Sequence, residues 1–117
     1  MFVNYVPNIT VTNVSFVLRF MDAPVGVSTI HRLRERWAIM LKLGGKTLYT
    51  INGKEILSDA SHAVLIPKGC SYSWKCVAPG ECIIIEFDAP ETFDDIFSFK
   101  LHDNSFIVNA FLKIEKL

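Results

Sequence analysis

An excess of positive charge, long apolar runs and paired cysteines are all missing from this sequence of 117 residues. Twelve Lys and Arg are balanced by twelve Asp and Glu, for a formal net charge of zero. That excludes the basic footprint of a domain that grips nucleic acid by its phosphates. It equally excludes a polybasic membrane-surface module. No apolar stretch approaches the ~20 residues needed to span a bilayer; the densest run, Ile83-Ile84-Ile85, is stopped by Glu86. The first residues, Met1-Phe2-Val3-Asn4-Tyr5-Val6, show neither the positive region nor the long apolar core of a signal peptide. Cys70, Cys76 and Cys82 are an odd count, spaced six apart with no CxxC pair. They fit reduced thiols in a cytoplasmic protein better than a disulfide framework. In that compartment the triplets Asn8-Ile9-Thr10 and Asn13-Val14-Ser15 are chance matches to a glycosylation signal. There is also no GxGxxG, no phosphate-binding loop and no nucleophile elbow.

What is present is a globular composition: half of the residues are apolar, 12% aromatic and 21% charged. The length fits one domain, able to bury roughly two-thirds of the surface its unfolded chain exposes. Up to about residue 90 the chain is a series of short β-like runs separated by turn signals. These runs are Ile9 to Phe20, Trp37 to Leu43, Lys46 to Ile51, Glu55 to Leu57, His62 to Ile66, Ser71 to Cys76 and Cys82 to Phe87. Gly44-Gly45, Pro67-Lys68-Gly69 and Ala78-Pro79-Gly80 punctuate them, and Asn52-Gly53 is a strong two-residue hairpin signal. No helix-length amphipathic segment interrupts the runs, which argues against parallel βαβ units.

After Asp88-Ala89-Pro90 the pattern changes. Asp103-Asn104-Ser105 supplies helix N-cap chemistry. Beyond it Phe106, Ile107, Ala110, Phe111, Ile114 and Leu117 recur at helical spacing. The chain ends inside this stripe without a capping residue, so the sequence reads as the front part of a longer protein. The expected architecture is mainly β: a barrel over residues 1–92 followed by a connector helix within 93–117.

The order strand, Gly44-Gly45 turn, strand, Ile51-Asn52-Gly53 hairpin, then Ile66-Pro67-Lys68-Gly69 opening the next strand resembles the cupin double-stranded β-barrel, or jelly roll. More closely, it resembles the N-terminal sensor domain of AraC-family transcription regulators. The motif likeness covers about residues 30 to 88, and the C-terminal helix matches by position. The resemblance implies a barrel that binds a small effector, commonly a sugar. It also implies a homodimer formed through the following helix, and DNA contacted only by a further C-terminal domain. Phe106, Ile107, Ala110, Phe111, Ile114 and Leu117 are then the dimer-interface residues, with capping of the barrel in the same subunit as the alternative.

Many cupins hold a divalent metal, and the ligand positions are compared one by one. Counting back from Gly44, the Glu position of the first cupin motif falls on Trp37 and its two His positions on His31 and Leu33. The His position of the second motif falls on Tyr72. One of the four ligand positions, His31, keeps a ligating side chain. A catalytic metal needs about three protein ligands, so no metal or other cofactor is expected.

In the cupin register Trp37, Tyr72 and Trp74 point into the barrel, and Tyr49 joins them from a neighbouring strand. Aromatic faces around a cavity suit sugar rings or flat apolar ligands. The plainer reading is that they fill a small barrel. Arg32, Arg34 and Arg36 alternate and would share one strand face, opposite to His31, Leu33 and Trp37. That face is a solvated exterior or a stripe for an anion, with Arg34 retained as a pocket residue because strand entries bend. The expected ligand-binding set is His31, Arg34, Trp37, Tyr49, Tyr72 and Trp74. His62 and His102 read as structural or exposed, and Cys70 as an inert thiol. The functional expectation is a ligand-sensing, dimerising, non-enzymatic domain. Its alternatives are a metal-independent cupin enzyme using His31 or Tyr72 for acid–base work, and a filled-barrel interaction module.

Overall fold

Some strands of this chain are apolar at nearly every position and others only at every second one, and that difference sets the architecture. The computed structural model describes residues 9–21, 28–31, 34–93 and 95–100. Among these residues lie the strands β1 (Asn13–Met21), β2 (Ser28–His31), β3 (Trp37–Lys42), β4 (Lys46–Ile51) and β5 (Lys54–Ser58). They are followed by β6 (His62–Ile66), β7 (Tyr72–Ala78), β8 (Glu81–Asp88) and β9 (Phe97–Lys100). A five-stranded sheet in the order β1-β8-β3-β6-β9 faces a four-stranded sheet in the order β2-β7-β4-β5. Every described pairing is antiparallel.

The near-continuous apolar runs β3, β6 and β8 are the interior strands of the five-stranded sheet, and both of its faces are covered. Its inner face carries Ala38, Met40, Val64, Ile66, Cys82 and Ile84, which pack with Tyr49, Ile51, Ile56 and Tyr72 of the opposite sheet. Its outer face carries Trp37, Leu65, Ile83, Ile85 and Phe87, covered by Ala89 and Phe93 from the chain beyond β8 and by Ile9. Strands β4 and β5 alternate buried positions with half-buried or exposed ones, because their inner face is the better covered.

Turn chemistry closes the two ends. Asn52 and Gly53 both adopt positive φ, 50° and 76°, as the two-residue β4–β5 hairpin requires. At the other end the β3–β4 and β7–β8 turns press backbone on backbone. A Cβ on Gly80 would collide with the carbonyl of Gly44, and one on Gly45 with the Ala78 carbonyl and Pro79. Gly80 therefore serves close approach of two chains rather than an unusual φ.

The strands expected from the sequence are present with ends shifted by a few residues. Two short strands, β2 and β9, went unread: each has four residues, too few to show a period. The helix expected over Phe106 to Leu117, with its dimer-interface residues, lies outside the described residues. Gly80→Ala should lower stability by about 1–3 kcal/mol through forced separation of the two turns. Gly53→Asn, at a position with open space, should cost less than about 1 kcal/mol. Urea denaturation followed by circular dichroism reads both.

Candidate functional site

The inner core between the sheets has a polar group at each end and aliphatic side chains between them. At one end sits Arg34, in the segment between β2 and β3, with 7% of its surface exposed. Its backbone is pinned to the β6–β7 turn: Arg34 N–H donates to Cys70 O at 3.2 Å, and Gly69 N–H donates to Arg34 O at 2.6 Å. Its guanidinium donates from Nη1 to Tyr72 Oη at 2.9 Å and from Nη2 to Glu86 Oε1 at 2.6 Å. Residues 34–36 bend rather than extend, so the expected alternation of Arg34 with Arg36 on one outer face is corrected here. Arg34 turns inward, while the half-exposed Arg36 pairs with Asp88 at 3.2 Å. Burial pushes the Tyr72 phenol up and the Arg34 charge pulls it back. The Tyr49 ring lies 5.8 Å from that of Tyr72, and burial holds its phenol well above the usual tyrosine value.

Trp37 is also corrected: it does not point into the barrel. It is fully buried on the outer face, stacked on Phe87 at 6.1 Å with Phe93 edge-on at 5.8 Å. Its Nε1–H donates to Glu91 O at 3.0 Å. Both faces of β3 are buried, so parity within the strand does not reveal which face meets the other sheet. Tyr49 and Tyr72 are in the inner core, and half-buried Trp74 packs against it. The β2–β7 register sets His31 opposite Tyr72 and Thr29 opposite Trp74. Four of the expected residues are thus brought to the inner core: Arg34 through its bond to Tyr72, then Tyr49, Tyr72 and Trp74. His62 opens β6, and its Nδ1 lies 2.7 Å from Asp59 Oδ1 in the β5–β6 turn. Among the described residues no group of three or more His, Cys, Asp or Glu could hold a metal ion.

The opposite end holds residues that the sequence reading missed. Lys42 shares the inward parity of Ala38 and Met40 and is 0% exposed. It faces Cys82 across the β3–β8 pair, while Thr47 faces Ser58 on one side and Cys76 on the other. Burial pushes the Lys42 ammonium down, and the Cys82 and Cys76 thiols draw it back up. Burial raises the Cys82 thiol to about 11, with Lys42 opposing. Thr47 Oγ1 and Ser58 Oγ are buried without a hydrogen-bond partner, at a cost of about 1–3 kcal/mol each. A charge inside the apolar run Trp37 to Leu43, in register with Ala38 and Met40, was the signal available in the sequence. Beside β1 a cleft of about 520 Å³ is lined by Val17, Leu18, Arg19, Phe20, Met21 and Glu81. Phe20 also packs against the inner core.

No family model matches the chain, and neither does any curated protein. Solved structures do. The likeness defines the fold as a cupin-type β-barrel: a cupin protein, BF4112, from Bacteroides fragilis superposes with a TM-score of 0.51 at 20% identity, over 68% of this chain and 70% of that one. A structure of ToxT from Vibrio cholerae strain SCE256 with an unsaturated fatty acid bound superposes with a TM-score of 0.63 at 9% identity. That match covers 86% of this chain and 46% of the ToxT chain, so this chain spans less than half the length of that neighbour.

The Arg34–Glu86 pair gives a stability test. Arg34→Ala strands the Glu86 carboxylate and leaves the Tyr72 hydroxyl short of a partner, and should cost about 2–4 kcal/mol. The double change Arg34→Met with Glu86→Leu leaves no buried charge behind and should cost measurably less than Arg34→Ala alone. Urea midpoints of the two variants distinguish these outcomes.

Proposed function

We propose that this chain is the effector-sensing domain of an AraC-type transcription regulator, holding a small apolar effector between its two sheets. The observation that carries the reading is the character of the inner face. Ala38, Met40, Ile51, Val64, Ile66 and Ile84 make the inner core aliphatic, in a fold shared with ToxT, an AraC-family regulator whose structure holds an unsaturated fatty acid. An acyl chain gains from such a lining through burial alone, about 25 cal/mol per Å² of apolar surface. A carbohydrate needs several hydrogen-bonding groups spread around it, whereas the inner core is aliphatic between its ends; the Tyr72 hydroxyl accepts from Arg34 and the Trp37 indole is bonded to Glu91 on the other face, which leaves the Thr47 and Ser58 hydroxyls at one end. Carbohydrate binding is the second reading, favoured by Tyr49 and Trp74 in and against the inner core.

The site supports binding more than catalysis. Its phenols and the Cys82 thiol are raised by burial and so stay protonated at neutral pH, and Arg34 is paired with Glu86. In this reading a DNA-binding domain follows Leu117. The stripe Phe106, Ile107, Ala110, Phe111, Ile114 and Leu117 joins two copies, and effector binding biases that joint by differential affinity for two of its states.

The test is a titration of the chain with oleate and, separately, with arabinose and glucose, followed by tryptophan fluorescence and calorimetry. Saturable oleate binding is expected, with none for the sugars. Met40→Trp, which fills the inner face, should weaken oleate binding about tenfold or more, while Trp37→Phe leaves it within about twofold because Trp37 lies on the outer face. Sugar binding without oleate binding would replace the acyl reading by the carbohydrate one. Binding of neither would favour a filled barrel, and a tight complex of these residues alone with DNA would overturn the sensor assignment.

A further inference from the structure

A sheet edge offers its free backbone N–H and C=O groups to any chain that can pair with them, and folded proteins guard such edges with short strands or charge. Among the described residues the two sheets end on β1 and β9 and on β2 and β5. Strands β2 and β9 have four residues each. Strand β5 opens on Lys54 and Glu55, and Lys54 pairs with Asp95 at 2.8 Å. Strand β1 has neither guard. It is nine residues long, and its single charged side chain, Arg19, is tied to Glu81 of its own neighbour β8. Phe16 is 44% exposed, Leu18 42% and Met21 65%, and the cleft of about 520 Å³ lies beside Val17 to Met21. A long, exposed, apolar edge is a template for a further strand.

We infer that β1 joins two copies of this chain, pairing antiparallel with its own twin about a two-fold axis through Leu18, so that the two five-stranded sheets become continuous. The inference goes beyond the sensor reading and stands apart from the joint proposed for Phe106 to Leu117. An axis of this kind is perpendicular to the sheet, so each residue faces one whose side chain lies on the same side. Phe16, Leu18 and Phe20 pair with Glu86, Ile84 and Cys82 of β8 and so share the inner side. The register shifts between Val14 and Phe16, which leaves Phe16 to Met21 as the regular run. With Leu18 on the axis, Phe16 of each copy faces Phe20 of the other, and the two Leu18 side chains face each other. Aromatic and aliphatic cross-strand pairs are of the kind that stabilises a sheet. On the outer side Arg19 faces Val17, and the two guanidiniums do not meet. An axis at Arg19 would set like charges opposite each other. One at Val17 would bring Phe20 against Val14, which pairs with Phe87 and so lies on the outer side. Axes nearer either end pair fewer residues. The strand is thus complementary to itself in one register, and that selects a second copy as its partner.

Sedimentation velocity of the full 117-residue chain at several concentrations tests this. The wild-type chain should dimerise reversibly. Leu18→Lys sets two ammoniums opposite each other on the axis and should weaken the dimer about tenfold or more. Its urea midpoint should stay near that of the wild type, because Leu18 is an exposed position. Phe111→Lys, in the C-terminal stripe, should leave dimerisation through β1 in place. Leu18→Cys reads the register: under oxidised glutathione it should cross-link two copies rapidly, since directly paired residues have Cα atoms about 4.5–5.5 Å apart. Met21→Cys, more exposed but off the axis, should cross-link much more slowly, and the native Cys70, Cys76 and Cys82 are buried. A wild-type chain that stays monomeric overturns the joint. So does a dimer that survives Leu18→Lys, and its loss in Phe111→Lys would then assign the contact to the C-terminal stripe. Equal cross-linking by the two cysteine variants overturns the register on which the choice of partner rests.

Discussion

Strand β3 is buried on both of its faces, and the inside of the barrel depends on that. It sits between β8 and β6 in the five-stranded sheet, with Trp37, Ile39 and Leu41 on one side and Ala38, Met40 and Lys42 on the other. The outer set is covered by Phe93 and the chain beyond β8, and Trp37 is tied there by its bond to Glu91. A register slip of one residue would exchange the two sets, bringing the indole into the barrel and Lys42 out of it. The outer cluster thus selects which side chains the inner face presents, although none of its members touches that space.

The interior that results is graded along its length. Arg34, compensated by Glu86, stands at one end with the Tyr72 hydroxyl; Tyr49 follows; Cys82 and Lys42 stand at the other. Desolvation keeps the phenols and the Cys82 thiol in their neutral forms. Such an interior has an ion pair at one end and a lysine at the other, and its phenols and the Cys82 thiol do not exchange protons near neutral pH.

Much of the strand order was legible because it is written in turn chemistry. Asn52-Gly53, Gly44-Gly45, Pro67-Lys68-Gly69 and Ala78-Pro79-Gly80 each mark a chain reversal, and between them the runs match β3 to β8. The site was legible only in part. Tyr49, Tyr72 and Trp74 came from strands that alternate or nearly so, where parity identifies the inner face. Trp37 came from a strand apolar on both sides, where parity is silent about direction. Arg34 was misplaced because residues 34–36 bend, and strand alternation holds only within a strand. Lys42, Thr47 and Ser58 went unread because lysine, threonine and serine ordinarily belong to solvent-facing positions.

The sequence by itself determined the mainly β class, the hairpins and the succession along the chain of all the described strands but β2 and β9, since these follow from local φ preferences and from the period of apolar residues. Only the tertiary structure decided which face of the central sheet looks inward, that Arg34 is joined to Tyr72 and Glu86, and that a lysine and two hydroxyls share the closed end. Those outcomes depend on which strands pair and on what covers the outer face. Both are set by contacts between residues far apart in the chain, such as Trp37 with Glu91 and Arg34 with Glu86, and no local pattern encodes them.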